Sequence, residues 1–257
     1  MEDLSLAYVQ TELYWEKAEQ NRNHFEELIA KHAAKTDIII LPEMFTTGFS
    51  MQAEVNAEDF ETHLCWFNKI TSTYNVAVTG SVMCKVGHQF YNRLIFMKPN
   101  GDYSTYDKHH LFSLANEQNV YSAGHSICTV NYKGWKICPL ICYDLRFPVW
   151  SRNTQAYDVL IYVANWPERR ILAWDTLLKA RAIENMSYCI GVNRIGKDGN
   201  GVNYVGHSAA YDYLGQVLSN HHPEAETVTH LKLNYKAQQN ARQKFAFLND
   251  RDHFTLN

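Results

Sequence analysis

The sequence predicts an α/β fold built from two mixed β-sheets that pack against each other and carry helices on their outer faces. The chain opens with a strand, a helix and a second strand within residues 4–41, which is typical of parallel strands joined by a right-handed crossover. Helical segments also lie farther along, both between strands and near the chain end. Each sheet therefore needs helices on one face and the other sheet on the second. A doubly wound three-layer fold satisfies the same pattern and stays open at this stage.

The first half of the chain shows these elements in order. Residues 4–10 have strand character, and residues 15–35 carry apolar side chains three and four positions apart, which predicts a helix. A fully apolar strand, a second helix and a third strand are predicted at residues 38–41, 57–74 and 76–82. Two further strands, at residues 90–98 and 103–106, flank Pro99-Asn100-Gly101, a strong hairpin turn.

The second half continues the alternation. A hairpin across Lys133-Gly134 joins strands at residues 127–132 and 135–141. Next come a strand, a helix and a strand, at residues 159–164, 171–185 and 188–192. Residues 205–212 are predicted to pair with 216–218, and the last strand and helix are predicted at 228–233 and 235–244. The glycine-rich segment 196–201 is interpreted as a flexible loop near the mouth of a site, because it lacks the spacing of a phosphate-binding loop.

Composition limits the classes of function. The 257 residues contain 46% hydrophobic and 20% charged residues and no dividing linker, so we expect one domain over residues 1–257, with 245–257 as a C-terminal tail. A formal net charge of -3 gives no electrostatic case for nucleic-acid binding. No apolar run is long enough for a membrane span, and no secretory signal is visible, so we expect a cytoplasmic protein with free thiols.

The chemistry-bearing residues follow predicted strands. Cys142 ends the apolar run 137–141, Glu43 follows the strand that ends at Leu41, and Lys108 follows residues 103–106. Strand ends are where open α/β sheets usually hold ligands. A thiol with a reference pKa near 8.5 needs a base or a cation to become a nucleophile. Glu43 is the candidate base, and Lys108 is the candidate stabiliser of an oxyanion.

Each of these residues also has an ordinary structural interpretation. A cysteine that closes an apolar strand is usually a small buried hydrophobe, and an isolated lysine is usually solvated. Two alternative functions are open: a papain-like hydrolase in which a histidine activates Cys142, and a binding module that uses the aromatic residues. The pairs His109-His110 and His221-His222 lack the helical spacing of a zinc site, so no metal is predicted.

Three segments together resemble the nitrilase, or carbon–nitrogen hydrolase, superfamily. They are LPE (residues 41–43), YDKHHLF (106–112) and CYDLRFP (142–148), in the order the family has them. The resemblance extends over about residues 4–233 and includes RAIEN (181–185) in the helix after the nucleophile strand. It implies a four-layer αββα sandwich, no metal or organic cofactor, and commonly a homodimer.

The resemblance also implies roles for the site residues. Glu43 would be the general base, Lys108 the electrostatic stabiliser and Cys142 the nucleophile. Glu117 would be the second glutamate of the family, which orients the amine or relays a proton. The backbone N–H of Tyr143 is a natural oxyanion donor. The implied reaction is attack on an amide carbon, loss of ammonia, formation of a thioester at Cys142 and its hydrolysis by water activated at Glu43.

A finer resemblance is to the bacterial omega-amidases, carried by PEMFTTGF (42–49), VWSRN (149–153) and YVANWP (162–167). It implies that the substrates are 2-oxoglutaramate or 2-oxosuccinamate. Phe45, Tyr143 and Trp166 are candidate pocket walls. Arg146 is a candidate for the distal carboxylate, or alternatively for an ion pair with Asp144 or Glu184. A deaminated-glutathione amidase and an N-carbamoyl amide hydrolase are the alternatives within the superfamily.

Overall fold

The computed structural model describes residues 2–219 and 224–255. Within these ranges the strands are β1 Leu4–Gln10, β2 Ile38–Ile40, β3 Glu58–Asp59, β4 Ala77–Val86, β5 Gln89–Met97, β6 Tyr103–Asp107, β7 Val130–Tyr132, β8 Trp135–Ile141, β9 Val159–Ala164, β10 Tyr188–Asn193, β11 Ile195–Lys197, β12 Asn203–Val205, β13 Ala209–Tyr211 and β14 Thr227–Leu233. The α-helices are α1 Ala18–His32, α2 Ala53–Asn56, α3 Phe60–Tyr74, α4 Pro148–Ser151, α5 Ile171–Asn185 and α6 Tyr235–Phe245.

The strands form two mixed sheets and a separate hairpin. The first sheet has the order β14-β1-β2-β4-β5-β6, with β3 paired to β4, and its strands β1, β2 and β4 are parallel. The second sheet has the order β13-β10-β9-β8-β7, with β8, β9 and β10 parallel. Strands β11 and β12 pair with each other as a separate hairpin, and Ile195 of β11 also forms an isolated bridge with Glu12. The parallel centres place the carboxyl ends of β2 and β8 where a site can form.

The two sheets pack face to face. Alternate residues of β2 illustrate the layering: Ile38 and Ile40 belong to a core shared with Ile137 and Ile161 of the second sheet, whereas Ile39 points the other way. Ile39 belongs to a second core that includes residues of α1 and α3: Phe25, Leu28, Ile29, Leu64, Phe67 and Ile70. Because successive side chains of a strand point to opposite faces, each sheet has one helix-covered face and one sheet-covered face. The predicted four-layer αββα sandwich is confirmed.

Helix α5 covers the second sheet at close range. Gly191 of β10 faces it, and a Cβ at Gly191 would lie 2.3 Å from Leu178 Cδ1. Only a glycine allows the helix and strand to approach this closely. The predicted bounds of this helix, 171–185, agree with the structure.

Some predicted bounds differ. The first helix begins at Ala18 and ends at His32, and a 3₁₀ turn at Ala33–Lys35 completes the predicted length. The predicted strand 205–212 is interrupted, because Gly206 has a φ of +73°, which leaves Val205 in β12 and Ala209–Tyr211 in β13. The predicted pairing with residues 216–218 is present as a bridge between Tyr211 and Val217. No helix of the described ranges has the length and apolar character of a membrane span.

Candidate active site

Three loops that follow strands meet at one end of the sandwich. Glu43 lies three residues beyond the end of β2, while Lys108 comes directly after β6 and Cys142 directly after β8. Strands β2 and β6 belong to the first sheet and β8 to the second, so packing the two sheets brings side chains from both into one site. Glu43 and Lys108 are fully buried, and Cys142 is partly exposed at the floor of a pocket.

Lys108 lies between two glutamates. Its Nζ is 3.0 Å from Glu43 Oε1 and 3.0 Å from Glu117 Oε2. Burial on its own lowers the pKa of Lys108, but the negative charges of Glu117 and Glu43 outweigh it and raise that pKa above the ordinary value. The amine is therefore held as an ammonium ion. On the pocket side, the Phe49 ring covers it at 5.0 Å.

The Glu43 carboxylate accepts hydrogen bonds from both sides of the site. Asn92 Nδ2 donates to Oε1 at 2.8 Å, and the backbone N–H of Asn165 donates to Oε2 at 2.7 Å. Asn165 Nδ2 also bonds the Glu43 backbone oxygen at 2.7 Å. Together with Lys108, these donors compensate the cost of burying a charged carboxylate. The Cys142 thiol completes the arrangement, close enough to Glu43 for the carboxylate to raise the thiol pKa.

Cys142 occupies a sharp turn. Its φ is +42°, a left-handed conformation that is unusual for a residue other than glycine, and it starts a 3₁₀ turn over Cys142–Arg146. Burial raises the pKa of the Cys142 thiol well above its ordinary value; Glu43 raises it further and Lys108 opposes this. The resting nucleophile is therefore a neutral thiol beside its base.

Asp144 fixes this turn from inside. The Tyr106 hydroxyl donates to Asp144 Oδ2 at 2.7 Å, and the backbone N–H of Ile141 donates to the same oxygen at 3.1 Å. The backbone N–H of His110 donates to Oδ1 at 3.0 Å. Asp144 is fully buried, so these hydrogen bonds compensate the cost of burying its carboxylate. They also connect the Cys142 turn to the segment that contains Lys108.

The site opens into a pocket of about 190 Å³. Besides Glu43, Lys108 and Cys142, its lining consists of Phe49, Met51, Phe112, Ala115, Tyr143, Arg146, Asn165, Trp166, Pro167, Arg169, Arg170, Asp198, Asn200, Val202 and Tyr204. Three of the four predicted substrate-contacting residues lie on this wall, namely Tyr143, Arg146 and Trp166. No histidine of the described residues lines the pocket, which argues against activation of Cys142 by a histidine.

Phe45 was expected on the pocket wall, and that placement is wrong. Its ring is fully buried in the core between the first sheet and its helices, 5.2 Å from the Phe25 ring and 5.3 Å from the Trp66 ring. The physical reason is the backbone turn at Met44, whose φ is +44°. This turn directs Phe45 away from the side on which Glu43 lies.

Arg146 forms neither of the alternative ion pairs. Its guanidinium lies over the Trp166 ring at 5.0 Å, and the described residues show no ion pair to it. Asp144 is held by Tyr106 and His110 instead, and Glu184 pairs with Arg181 at 3.0 Å. The stacked guanidinium therefore keeps its hydrogen-bonding edge free for a ligand.

Two further arginines on the wall were missed by the sequence interpretation. Arg169 and Arg170 follow β9, and Arg170 stacks over the Phe112 ring at 4.9 Å. Burial lowers the pKa of Arg170, and the charge of Arg169 lowers it further. A signal was present, because the two arginines come three residues after Trp166, at a strand end of the same kind as the other site residues. With Arg146 they make one wall strongly positive.

The glycine-rich segment contributes the outer wall. Asp198, Asn200 and Val202 lie in the turn of the β11–β12 hairpin, and Tyr204 follows in β12. Asp198 accepts hydrogen bonds from the backbone N–H groups of Asn200 and Val202, both at 2.9 Å, and from the Tyr204 hydroxyl at 2.9 Å. The predicted loop is thus an ordered hairpin, and it lies at the mouth of the site.

The described residues contain no group of three or more His, Cys, Asp or Glu side chains placed to hold a metal ion. His109 Nδ1 is 2.6 Å from the Gly124 oxygen, and His110 Nδ1 is 2.8 Å from Asp144 Oδ1. The rings of both histidines stack on aromatic neighbours, Trp150 and Phe147. The pair His221-His222 lies outside the described residues.

Comparison with known proteins identifies the family. The sequence model of the carbon-nitrogen hydrolase family matches residues 5–243. The chain belongs to the carbon-nitrogen hydrolases. The expectation from residues 41–43, 106–112 and 142–148 is confirmed.

Individual relatives cover the whole chain. It is 41% identical to the Omega-amidase YafV of Yersinia enterocolitica and 39% identical to that of Escherichia coli K12, over 256 residues and all of each protein. It is 33% identical to the 2-oxoglutaramate amidase of Bacillus subtilis over 84% of this chain and 85% of that protein. The carbon-nitrogen hydrolase superfamily protein XC1258 from Xanthomonas campestris, whose crystal structure carries an arsenic adduct in the active site, superposes with a TM-score of 0.97 at 40% identity and full coverage of both chains.

Proposed function

We propose that this carbon-nitrogen hydrolase is an omega-amidase, which converts 2-oxo acid monoamides such as 2-oxoglutaramate and 2-oxosuccinamate to the 2-oxo acid and ammonia. The observation that carries the proposal is that the Cys142 thiol and the Glu43–Lys108 ion pair line one pocket, which has arginines on its wall. The similarity to Omega-amidase YafV and to 2-oxoglutaramate amidase supports the same substrate class.

The first half-reaction forms a thioester. Glu43 takes the proton of the Cys142 thiol as the sulfur attacks the amide carbon, so no free thiolate has to exist in the dry site. The negative charge moves to the substrate oxygen, where the Lys108 ammonium and the backbone N–H of Tyr143 stabilise it. Glu43 then gives its proton to the amide nitrogen, the carbon–nitrogen bond breaks, and ammonia leaves.

The second half-reaction uses the same groups in reverse. Water enters the place of ammonia, and Glu43 takes one of its protons as the water oxygen attacks the thioester carbon. Lys108 and the Tyr143 N–H again stabilise the oxyanion. The carbon–sulfur bond breaks, Cys142 recovers its proton from Glu43, and the acid is released. Atoms and charge balance without a metal ion or an organic cofactor.

Glu117 acts on Lys108 in this proposal. It contacts Nζ at 3.0 Å and is itself fixed by the backbone N–H of Phe112 at 2.5 Å. Burial raises the pKa of Glu117, and Lys108 opposes that rise. Glu117 therefore keeps the amine charged and aimed at the oxyanion position, while Glu43 remains free to exchange protons.

The positive wall suits the other end of the substrate. A 2-oxo acid monoamide carries one carboxylate, next to the keto group, and Arg146, Arg169 and Arg170 offer guanidinium groups for it. Tyr143, Trp166 and Phe49 supply flat apolar surfaces for the short carbon chain. The wall also disfavours substrates with an added positive charge, such as glutamine, whose ammonium group would approach the same arginines.

The proposal extends to assembly and location. The described cysteines are all free, which suits the reducing cytoplasm. A homodimer through the face near α4 and α5 fits the apolar side chains exposed there: Val149 is 53% exposed, Ile183 47% and Phe247 57%. Light scattering on the purified protein and on a Val149→Asp variant tests the dimer. A wild-type monomer at micromolar concentration would contradict it.

Ammonia release tests the substrate class. We expect fast turnover of 2-oxoglutaramate and 2-oxosuccinamate, with glutamine turned over at least about 100-fold more slowly, because its ammonium group in the arginine-lined pocket costs several kcal/mol. N-carbamoyl-β-alanine, which has no ammonium group, is the substrate of the alternative hydrolase and is assayed alongside. If neither 2-oxo amide were hydrolysed and another amide were, this substrate class would be rejected, whereas the proposed roles of Cys142, Glu43 and Lys108 would stand.

A further inference from the structure

Asn92 contacts both the base Glu43 and the backbone of Lys108. It is a fully buried residue of β5. Its side-chain Nδ2 donates to Glu43 Oε1 at 2.8 Å, and its backbone oxygen accepts the N–H of Lys108 at 3.0 Å. One residue of a central strand therefore sets the position of the base and, through the backbone, that of the cation.

The orientation of the Asn92 amide is fixed by charge. If the amide were turned by 180°, its oxygen would face the Glu43 carboxylate, which is acceptor-only, so the NH₂ group must point toward Glu43. In this orientation Asn92 Oδ1 is buried, and the described residues provide no hydrogen-bond partner for it. An unpaired buried carbonyl oxygen is costly. The hydrogen bond from Asn92 Nδ2 to Glu43 is therefore made at the cost of an unpaired Oδ1.

The donors to Glu43 are not equivalent. The Asn165 bond to Oε2 comes from the backbone and cannot be adjusted by side-chain replacement. The Lys108 ammonium is shared with Glu117 and is needed at the oxyanion. Asn92 is the neutral side-chain donor with a short bond to the carboxylate, since Asn165 Nδ2 reaches Glu43 Oε2 only at 3.3 Å.

We propose that Asn92 is a positioning residue for the base, which holds Glu43 in its ionised form and aims it at the Cys142 thiol. The proposal rests on the roles of Glu43 and Cys142 given above. Several charged or titratable groups act electrostatically on or with Glu43: Lys108, Glu117, Cys142, Tyr121 and Tyr204. Lys108 is the cation among them, and Glu117 carries a charge of the same sign as Glu43. A donor to a carboxylate favours its charged form, so loss of the Asn92 donor should disfavour that form.

The test is the pH dependence of kcat/KM for 2-oxoglutaramate in Asn92→Leu, which keeps the branched shape of the side chain and removes the donor. We expect the acid limb to move up by about one pH unit, the equivalent of one charge-assisted hydrogen bond, with activity largely recovered on the alkaline side of the new limb. At a pH below the wild-type limb this is about a tenfold loss. KM should change little, because Asn92 does not line the pocket.

Asn92→Asp provides a second, opposite prediction. The protonated aspartic acid can donate to Glu43 as the amide does, whereas an ionised aspartate beside Glu43 repels it. We therefore expect the activity of Asn92→Asp to be closest to wild type at acid pH and to fall as the pH rises. This variant decides the matter if Asn92→Leu fails to fold, which circular dichroism would reveal.

Asn153→Leu is the matched control. Asn153 is equally buried and bonds the backbone of Tyr157 and Asn185, away from the pocket. Its replacement should lower the stability without moving the acid limb. An unmoved limb in folded Asn92→Leu, or a wild-type profile in Asn92→Asp, would overturn the inference. Failure of the proposed function looks different, because then the wild-type enzyme would not hydrolyse the amide or Cys142→Ala would still hydrolyse it.

Discussion

Lys108 Nζ lies 3.0 Å from Glu117 Oε2, and both side chains are fully buried. The same ammonium is 3.0 Å from Glu43, so one cation compensates two carboxylates. The site therefore carries an excess of negative charge before any substrate binds. This imbalance explains both the raised pKa of Lys108, which Glu117 and Glu43 produce against the effect of burial, and the neutral state of the Cys142 thiol.

Lys108→Ala should abolish turnover and strengthen the local loss of stability with rising pH. Removing an oxyanion donor costs about two to three powers of ten in rate. Without the ammonium, burial and Glu43 both raise the pKa of Glu117, and among the named groups only the hydrogen bond from the Phe112 backbone N–H opposes them. A carboxyl whose folded pKa is raised stabilises the fold below its unfolded value and loses that contribution as the pH rises.

Urea unfolding between pH 5 and 8 checks this prediction. Relative to wild type, Lys108→Ala should lose more stability at pH 8 than at pH 5. The exposed Lys85 provides the control, since Lys85→Ala should leave activity and pH dependence unchanged. Equal destabilisation of Lys108→Ala at both pH values would contradict the charge account.

Glu43→Gln should separate thiol reactivity from catalysis. The Glu43 charge is, after burial, the largest cause of the raised pKa of the Cys142 thiol. Its removal leaves Lys108, which lowers the thiol pKa, opposed by Glu117 alone among the neighbouring charges, and therefore favours the thiolate. We expect iodoacetamide to alkylate Cys142 faster in Glu43→Gln than in wild type at pH 8, whereas amide hydrolysis is lost. Peptide mass spectrometry follows the site, with the exposed Cys65 as the internal reference. Slower alkylation in the variant would show that Glu43 assists thiolate formation at rest.

Arg170→Gln should weaken the binding of charged substrates. Losing one charge-assisted contact to a carboxylate costs about 1.5–3 kcal/mol, or about 10- to 150-fold in KM. A primary amide of similar length without a carboxylate should be affected less than threefold. Arg152→Gln is the control, because Arg152 does not line the pocket. If the charged and neutral amides were affected alike, the carboxylate would have to bind elsewhere.

Alkaline pH should reveal a buried thiol away from the site. Burial raises the pKa of the Cys84 thiol from its ordinary value of 9.0 to about 12, with Asp107 adding to this rise and Arg93 opposing it. Between these values the unfolded chain releases the thiol proton and the folded chain keeps it. Stability therefore falls with rising pH by up to about 1.4 kcal/mol per pH unit for this group.

Cys84→Ala removes this contribution. The variant should be less stable than wild type at pH 8 because of its cavity, but the gap should narrow between pH 9 and 11. Urea unfolding at three pH values measures the change, and Cys65→Ala is the exposed control. A gap that stays constant with pH would mean that Cys84 titrates normally in the folded protein.

The sequence was informative wherever a local pattern carried the answer. Helix α5 is flanked by apolar strands and keeps helical spacing throughout, and Glu43, Lys108 and Cys142 each follow a strand within a distinctive segment. The prediction that Phe45 lines the pocket was wrong because the direction of its side chain depends on a positive φ at Met44. A methionine in the sequence gives no indication of a positive φ.

Long-range contacts were the other limit. Asn92 lies on a separate strand, 49 positions from Glu43 in the sequence, and contacts it only in the folded protein. The periodicity of the sequence does not predict a contact between residues so far apart. Arg169 and Arg170 come from the loop that follows β9, and their approach to Cys142 follows from the packing of two sheets. Residues 220–223, with His221-His222, lie outside the described ranges, and the metal question for that pair stays a prediction.

The most direct test of the account is the intact mass of enzyme quenched with acid during turnover of 2-oxoglutaramate. We predict a covalent adduct with the mass of one 2-oxoglutaryl group. Peptide mapping should place it on Cys142, and it should be absent from Cys142→Ala. Steady ammonia release by a folded Cys142→Ala variant, or an adduct on a different residue, would contradict the thioester mechanism.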